Sequence, residues 1–245
     1  MTTKLNILLI LSIPIITNFA CKKDPASSND DLSITDIDGN TYTSVIISNQ
    51  EWMAENLKVT HYRNGDAIPE VTDNSQWTNL SNGAYCVHNY FDDIETYGLL
   101  YNWYAVNDSR NIAPTGWHVP TDEELKQLEI YLGMSQAEAD NFGWRGTDAG
   151  GKLKEEGTTH WMEPNTGATN EAGFSVLPGG YRSYDNGTFA NIGYKAYFWS
   201  STEADSNVWG SEIGVWSRIL SYSQSAIYRN EYSKQDGFSV RCVKD

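Results

Sequence analysis

Apolar and polar positions change period along this chain, and each change marks a different kind of element. After a turn signal at Asp38-Gly39, residues 42–47 are rich in β-branched and aromatic side chains, which predicts a strand pair at the N-terminal edge of the domain. Leu99, Trp103 and Val106 in "TYGLLYNWYAVND" recur at helical spacing and predict a helix. A second is predicted in "PTDEELKQLEIYLG", where Thr121 and Glu124 form a capping box. There Leu125, Leu128 and Leu132 share a face, and Gly133 is the stop. Ser135 and Glu138 repeat the box and predict a shorter third helix.

Beyond Gly143 the pattern turns to short aromatic-rich runs divided by glycine. Strands are predicted over residues 174–177, 197–202, 208–216, 226–229 and 237–243. In the last, Phe238, Val240 and Cys242 alternate with Ser239, Arg241 and Val243, which predicts one buried face. Helices first and strands later predict an α+β domain over residues 36–245, with no internal repeat.

Residues 1–20 follow another pattern. Lys4 gives a positive start, a largely apolar run over 5–16 is interrupted by Ser12 and Pro14, and Phe19-Ala20 precedes Cys21. The run is too short to span a bilayer as a mature helix and reads as an export signal. A cysteine directly after such a segment predicts a bacterial lipoprotein lipidated at Cys21 and anchored to the outer membrane; the alternative is secretion with Cys21 a spare thiol. Residues 21–35, polar and proline-bearing, read as a flexible tether. "CKKD" resembles the export tag of Bacteroidetes surface lipoproteins and implies an outward-facing domain.

Charge narrows the partners. With 17 basic and 32 acidic residues the chain carries −15, so no nucleic-acid partner is expected, while carboxylates for calcium are plentiful. Apart from Cys21 only Cys86 and Cys242 remain, most simply one disulfide in an oxidising compartment, or else two buried free thiols.

The ordered blocks "GLLYNWYAV", "PTGWHVPTDEEL", "AGGKLK", "ATNEAGFSVLPGGYR", "YFWSSTE" and "GFSVRCVKD" resemble the Fibrobacter succinogenes major paralogous domain over about residues 36–245. More distantly, "GWHVPTDEELKQLE" and "GFSVRCV" are similar to blocks of formylglycine-generating-enzyme-like domains. That resemblance implies a C-type-lectin-like fold: two main helices, then a twisted mixed sheet, with the chain termini on neighbouring strands. Fold alone transfers no chemistry.

Several chemistries lack their residues. The oxidase cysteines of the formylglycine relatives have no counterpart in "SRILSYSQSAIYRNEYSK". "GTDAGGKL" begins a phosphate loop but continues with Leu153 instead of Ser or Thr, so Lys152 and Lys154 read as solvated charges. His61, His88, His118 and His160 show no zinc spacing, and His118 reads as a hydrogen-bond donor to a loop. No G-x-S-x-G occurs. The domain is therefore expected to be non-catalytic; the alternative is an unrecognised hydrolase whose carboxylates or histidines only the fold brings together.

Binding remains. Nine Trp, fifteen Tyr and seven Phe suit stacking on sugar rings or on protein partners, with most of the rings assigned to the core. Loops within 143–210 are expected to carry an extracellular glycan or protein ligand, with Asn170, Glu171, Trp161, Tyr181, Arg182 and Trp209 as contact candidates. Glu163-Pro164-Asn165 matches a calcium-ligand tripeptide of calcium-dependent lectins. Its usual Trp-Asn-Asp partner is missing, so Glu163 and Asn165 make a weak calcium site and no other cofactor is expected.

Overall fold

In this computed structural model the first hairpin forms at the predicted turn: β1 (Ile34–Thr35) pairs antiparallel with β2 (Thr41–Tyr42). The turn is tied by Asp36, whose carboxylate accepts from the Asp38 and Asn40 backbone, the Asn40 amide and the Tyr42 hydroxyl. The structure describes Met1 and residues 34–88, 93–204 and 214–245. Cys21, the export segment, most of the tether and Trp209 lie outside them. All that follows belongs to one unit, residues 32–245, and no described helix is long and apolar enough to cross a membrane.

The chain continues through β3 (Ser44–Ile47), β4 (Gln50–Met53), α1 (Asn74–Trp77), β5 (Tyr85–Cys86), α2 (Ile94–Tyr97), β6 (Leu100–Tyr101) and α3 (Trp103–Val106). Next come β7 (Trp117–His118), α4 (Asp122–Tyr131), α5 (Gln136–Asp140), β8 (Gly143–Arg145) and α6 (Ala149–Leu153). The last third is strands: β9 (Gly179–Arg182), β10 (Phe189–Ile192), β11 (Lys195–Glu203), β12 (Val215–Ser221), β13 (Ile227–Tyr232) and β14 (Val243–Lys244). The largest sheet has the order β10-β9-β11-β12-β13-β8, antiparallel except where β11 meets β9. A second sheet, β3-β4-β14-β7, sets the C-terminal strand between an early hairpin and the strand that leads into α4. The α+β class is as expected.

The two predicted capping boxes are present: Thr121 with Glu124 opens α4, and Ser135 with Glu138 opens α5. The helix predicted through residues 96–108 is not continuous. Gly98, at φ 71°, ends α2, and a Cβ there would sit 2.7 Å from Asn56 Cβ and 2.8 Å from the Leu57 carbonyl. Leu100 and Tyr101 then pair with Cys86 and Tyr85 as strand, and Asn102 caps a new turn at α3. Local helical spacing loses here to cross-strand pairing.

Three apolar clusters form the core. One joins Trp103, Trp117, Trp199, Tyr101 and Phe238; a second sets Leu125, Leu128 and Leu132 against Trp52, Trp161 and Phe174; a third gathers Trp77, Cys86 and Leu100. Cys86 and Cys242 are buried free thiols in different clusters, so the expected disulfide is not made. Burial pushes the Cys86 thiol up to about 12, and Cys242 higher still.

The terminal stretch also departs from expectation. Residues 237–243 are buried on both faces, and only Val243 and Lys244 form regular strand. Arg241, expected to face solvent, turns inward and donates to the Phe174 and Ser175 carbonyls and to Asn56 Oδ1. Residues 174–177 form only a bridge from Val176 to Lys154.

α4 contributes two buried acids along with its leucines. Glu129 holds Arg145 (2.6 and 3.0 Å) and Arg218 (2.6 Å), while Asp122 holds Arg218 (2.7 Å) and Arg229 (2.7 and 2.9 Å). Burial works against the charge of Asp122, but these arginines keep its pKa below the ordinary value.

Candidate functional site

The residues expected to bind are mostly spent on holding the fold. Trp161 is buried and donates from Nε1 to the Val176 carbonyl at 2.9 Å. Arg182 is fully buried: it donates to the carbonyls of Val71, Thr72 and Gly187 and stacks on Trp77 and Phe189. Tyr181 is half-buried against Tyr197 and Phe238. Asn170, at φ 49°, exchanges hydrogen bonds with Ser175, both 2.8 Å, which closes the loop before Phe174. Glu171 is exposed beside it.

The calcium tripeptide is similarly committed. The Glu163-Pro164 bond is cis, Glu163 is exposed, and Asn165 donates from Nδ2 to the carbonyls of Glu155 (2.9 Å) and Gly157 (2.6 Å). Asn165 Oδ1 is buried without a partner. Among the described residues no group of three or more His, Cys, Asp or Glu could hold a metal ion.

The Lys154 expectation is reversed. Its side chain is fully buried, and Nζ donates to the carbonyls of Thr166 (2.9 Å), Ser221 (2.9 Å) and Gln224 (3.0 Å). Burial lowers its pKa to about 8. The glycines of the phosphate-loop match serve packing: a Cβ on Gly151 would meet the Gly167 carbonyl oxygen at 2.0 Å. His118 does not serve a loop. It bridges Asp245 (Nδ1, 2.7 Å) and Glu124 (Nε2, 2.8 Å), joining the chain end to the cap of α4.

Unspent polar groups gather elsewhere, in a cleft of about 550 Å³ between residues 67–69, 81–83 and 103–110. Asn102, fully buried, builds it. Its Oδ1 accepts from Ala84 N and Ala105 N, and its Nδ2 donates to the Asn82 carbonyl, fixing the 81–84 turn to the start of α3. Gly83 is required at the floor, since a Cβ would lie 2.1 Å from Tyr62 Oη. Trp103, buried in the core behind the cleft, is held by Nε1 on the Ser200 carbonyl (3.1 Å) and covered by the Lys234 ammonium, 4.9 Å from its ring. Tyr104 is half-buried at the opening.

Around the rim, the side chains of Ser81, Asn82 and Asn107 make no hydrogen bond to the described protein and face solvent. Arg110 closes one end. Its Nε and Nη2 take both Asp108 oxygens at 2.9 and 2.7 Å, its Nη1 reaches Asp66 at 3.2 Å, and its guanidinium lies 3.9 Å from the Tyr62 ring centre. Hydrogen bonding to Arg110 holds the Asp108 carboxyl below the ordinary range, so it stays ionised and paired at neutral pH. Such a carboxylate is a poor proton donor.

Helical periodicity gave no sign of this cleft, because it picked out the apolar Leu99, Trp103 and Val106 and not the polar residues between and after them. The signal that could have found it is "NDSR" directly after the apolar run, a carboxylate and guanidinium two residues apart.

A mixed α+β domain with a polar cleft walled by aromatics is the class that the fold and this geometry define. The chain matches the model of the Fibrobacter succinogenes major domain over residues 45–244 and belongs to that family. Comparison with the curated proteins and with the solved structures finds no match.

Proposed function

We propose that this chain is a non-catalytic binding module for a glycan or similar extracellular polymer, taken up in the cleft between residues 67 and 110. One observation carries the reading: the free amides of Asn82 and Asn107 and the Ser81 hydroxyl line the cleft together with the half-buried ring of Tyr104, whereas Asn165 and Asn170 are consumed internally. An amide donates and accepts at once, which matches adjacent sugar hydroxyls, and an aromatic face covers the apolar side of the ring. The lipid anchor at Cys21 and cell-surface placement belong to the same proposal and rest on the leader pattern. A lectin-like arrangement is supported by β14 lying between β4 and β7.

The test is a glycan array probed with the purified chain, with and without chelator. Signal that survives chelation and falls in Asn107→Ala supports the reading; a blank array, or signal indifferent to Asn107→Ala, overturns it. A second reading, adhesion to other proteins, is favoured by Tyr131 (60% exposed), Phe142 (76%) and Trp144 (42%) near edge strand β8. It requires that Phe142→Ser reduce binding to intact cells or matrix proteins on which the array is silent.

A further inference from the structure

Cations usually draw anionic sugars to a binding site, and the described cations at this cleft are already neutralised. Arg110 uses Nε, Nη1 and Nη2 on two carboxylates, Asp108 and Asp66, and sits over Tyr62, 3.9 Å from its ring centre. Lys234, over the Trp103 ring, pairs with Glu203 at 2.7 Å. Arg63, next to Tyr62, points away and donates to the carbonyls of Ala113, Pro114 and Trp117. Two acids around Arg110 leave that end of the cleft with a net charge near −1, on a chain of −15. The groups still free to bind, Ser81, Asn82 and Asn107, are all neutral.

Resting on the glycan reading above, we infer that Asp66, Asp108 and Arg110 form a charge gate that admits neutral sugars and rejects uronic acids and other anionic glycans. Arg110 acts in it as an internal counter-ion: it satisfies both carboxylates, so neutral ligand needs no divalent cation to shield them. A uronate carboxylate entering the cleft would meet an acidic rim and a guanidinium that already spends three of its five N–H groups on two carboxylates, and it would lose hydration for a partner whose charge is already matched. Asp66 and Asp108 are thus specificity-determining residues, and their pairing with Arg110 selects the ligand.

Matched oligosaccharides test this, because galactose and galacturonate oligomers, or mannose and mannuronate oligomers, differ only in oxidation at C6. Calorimetry on the purified chain is expected to show at least about tenfold tighter binding of one neutral oligomer than of its uronate partner, unchanged by EDTA. Asp66→Asn with Asp108→Asn leaves the guanidinium unpaired and should raise uronate affinity about tenfold or more. Asp66→Asn alone, at an exposed side chain, should move selectivity the same way by a smaller factor and serves as the control for folding. Equal binding of both oligomers by the unaltered chain, or selectivity indifferent to both variants, overturns the charge gate while leaving the glycan reading standing. Binding of neither class by the unaltered chain overturns both.

Discussion

At the scale of single residues, the fold relies on cations buried without a paired acid. Lys154 makes the sharpest case, because three main-chain carbonyls, one from the loop at Thr166 and two from the end of β12 and the turn after it, converge on one ammonium. Lys154→Met removes that partner and leaves buried acceptors unsatisfied, for an expected loss on the order of 3 kcal/mol in urea unfolding. Lys152→Met should cost under about 1 kcal/mol, since that side chain is partly exposed and bonds one carbonyl and Asp148. Equal losses for the two lysines would refute the assignment. The cysteines give a second contrast. Burial that raises both thiols should protect Cys86 and Cys242 from iodoacetamide in the folded chain and expose both in denaturant, as read by mass spectrometry. Native labelling of either would contradict their burial.

At the scale of elements, what was legible depended on whether the signal was local. Both capping boxes were readable because the atoms that satisfy them lie three residues apart. The break at Gly98 was not, since it depends on Asn56 and Leu57, about forty residues earlier. Nor was the acid side of α4: Asp122 and Glu129 look like solvated charges until β8, β12 and β13 bring three arginines over them. Glu129→Leu would strand Arg145 in the interior and leave Arg218 with Asp122 alone, for an expected loss of about 3–5 kcal/mol, while Glu123→Ala on the exposed face should stay within about 0.5 kcal/mol.

The same helix carries a pH-dependent tie at its start. Burial works against a charged His118, yet its bonds to Asp245 and Glu124 prevail and raise its pKa. A raised folded pKa means that the stabilisation is complete below the ordinary histidine value of about 6.5 and fades as pH climbs through the folded one. The Tm gap between the unaltered chain and His118→Gln should therefore be widest near pH 5.5 and shrink by about pH 9. A gap independent of pH would remove the imidazolium from the tie.

For the whole molecule, sequence named the residue types of a binding site but not which of them the fold leaves free. Loops between residues 143 and 210 are dense in asparagine, tryptophan and arginine, but Trp161, Asn165, Asn170 and Arg182 among them are tied down because glycine-rich connections must satisfy their own backbone groups inside the fold, while Trp144 stays 42% exposed. The cleft is assembled from three distant segments: Asn102, contacting residues 82, 84 and 105, ties two of them, and the Tyr85 amide on the Pro69 carbonyl brings in the third. Stability and binding should accordingly separate by region. Asn165→Ala and Arg182→Ala should lower Tm by several degrees, the arginine more, while the protein that remains folded keeps its glycan affinity. Asn82→Ala and Asn107→Ala should do the opposite, leaving Tm within about two degrees and weakening affinity about tenfold each, since their side chains bond nothing else in the described protein. Calorimetry beside thermal melts on the four variants decides the matter. If the first pair abolishes affinity in folded protein and the second leaves it intact, the ligand sits over residues 143–210 after all.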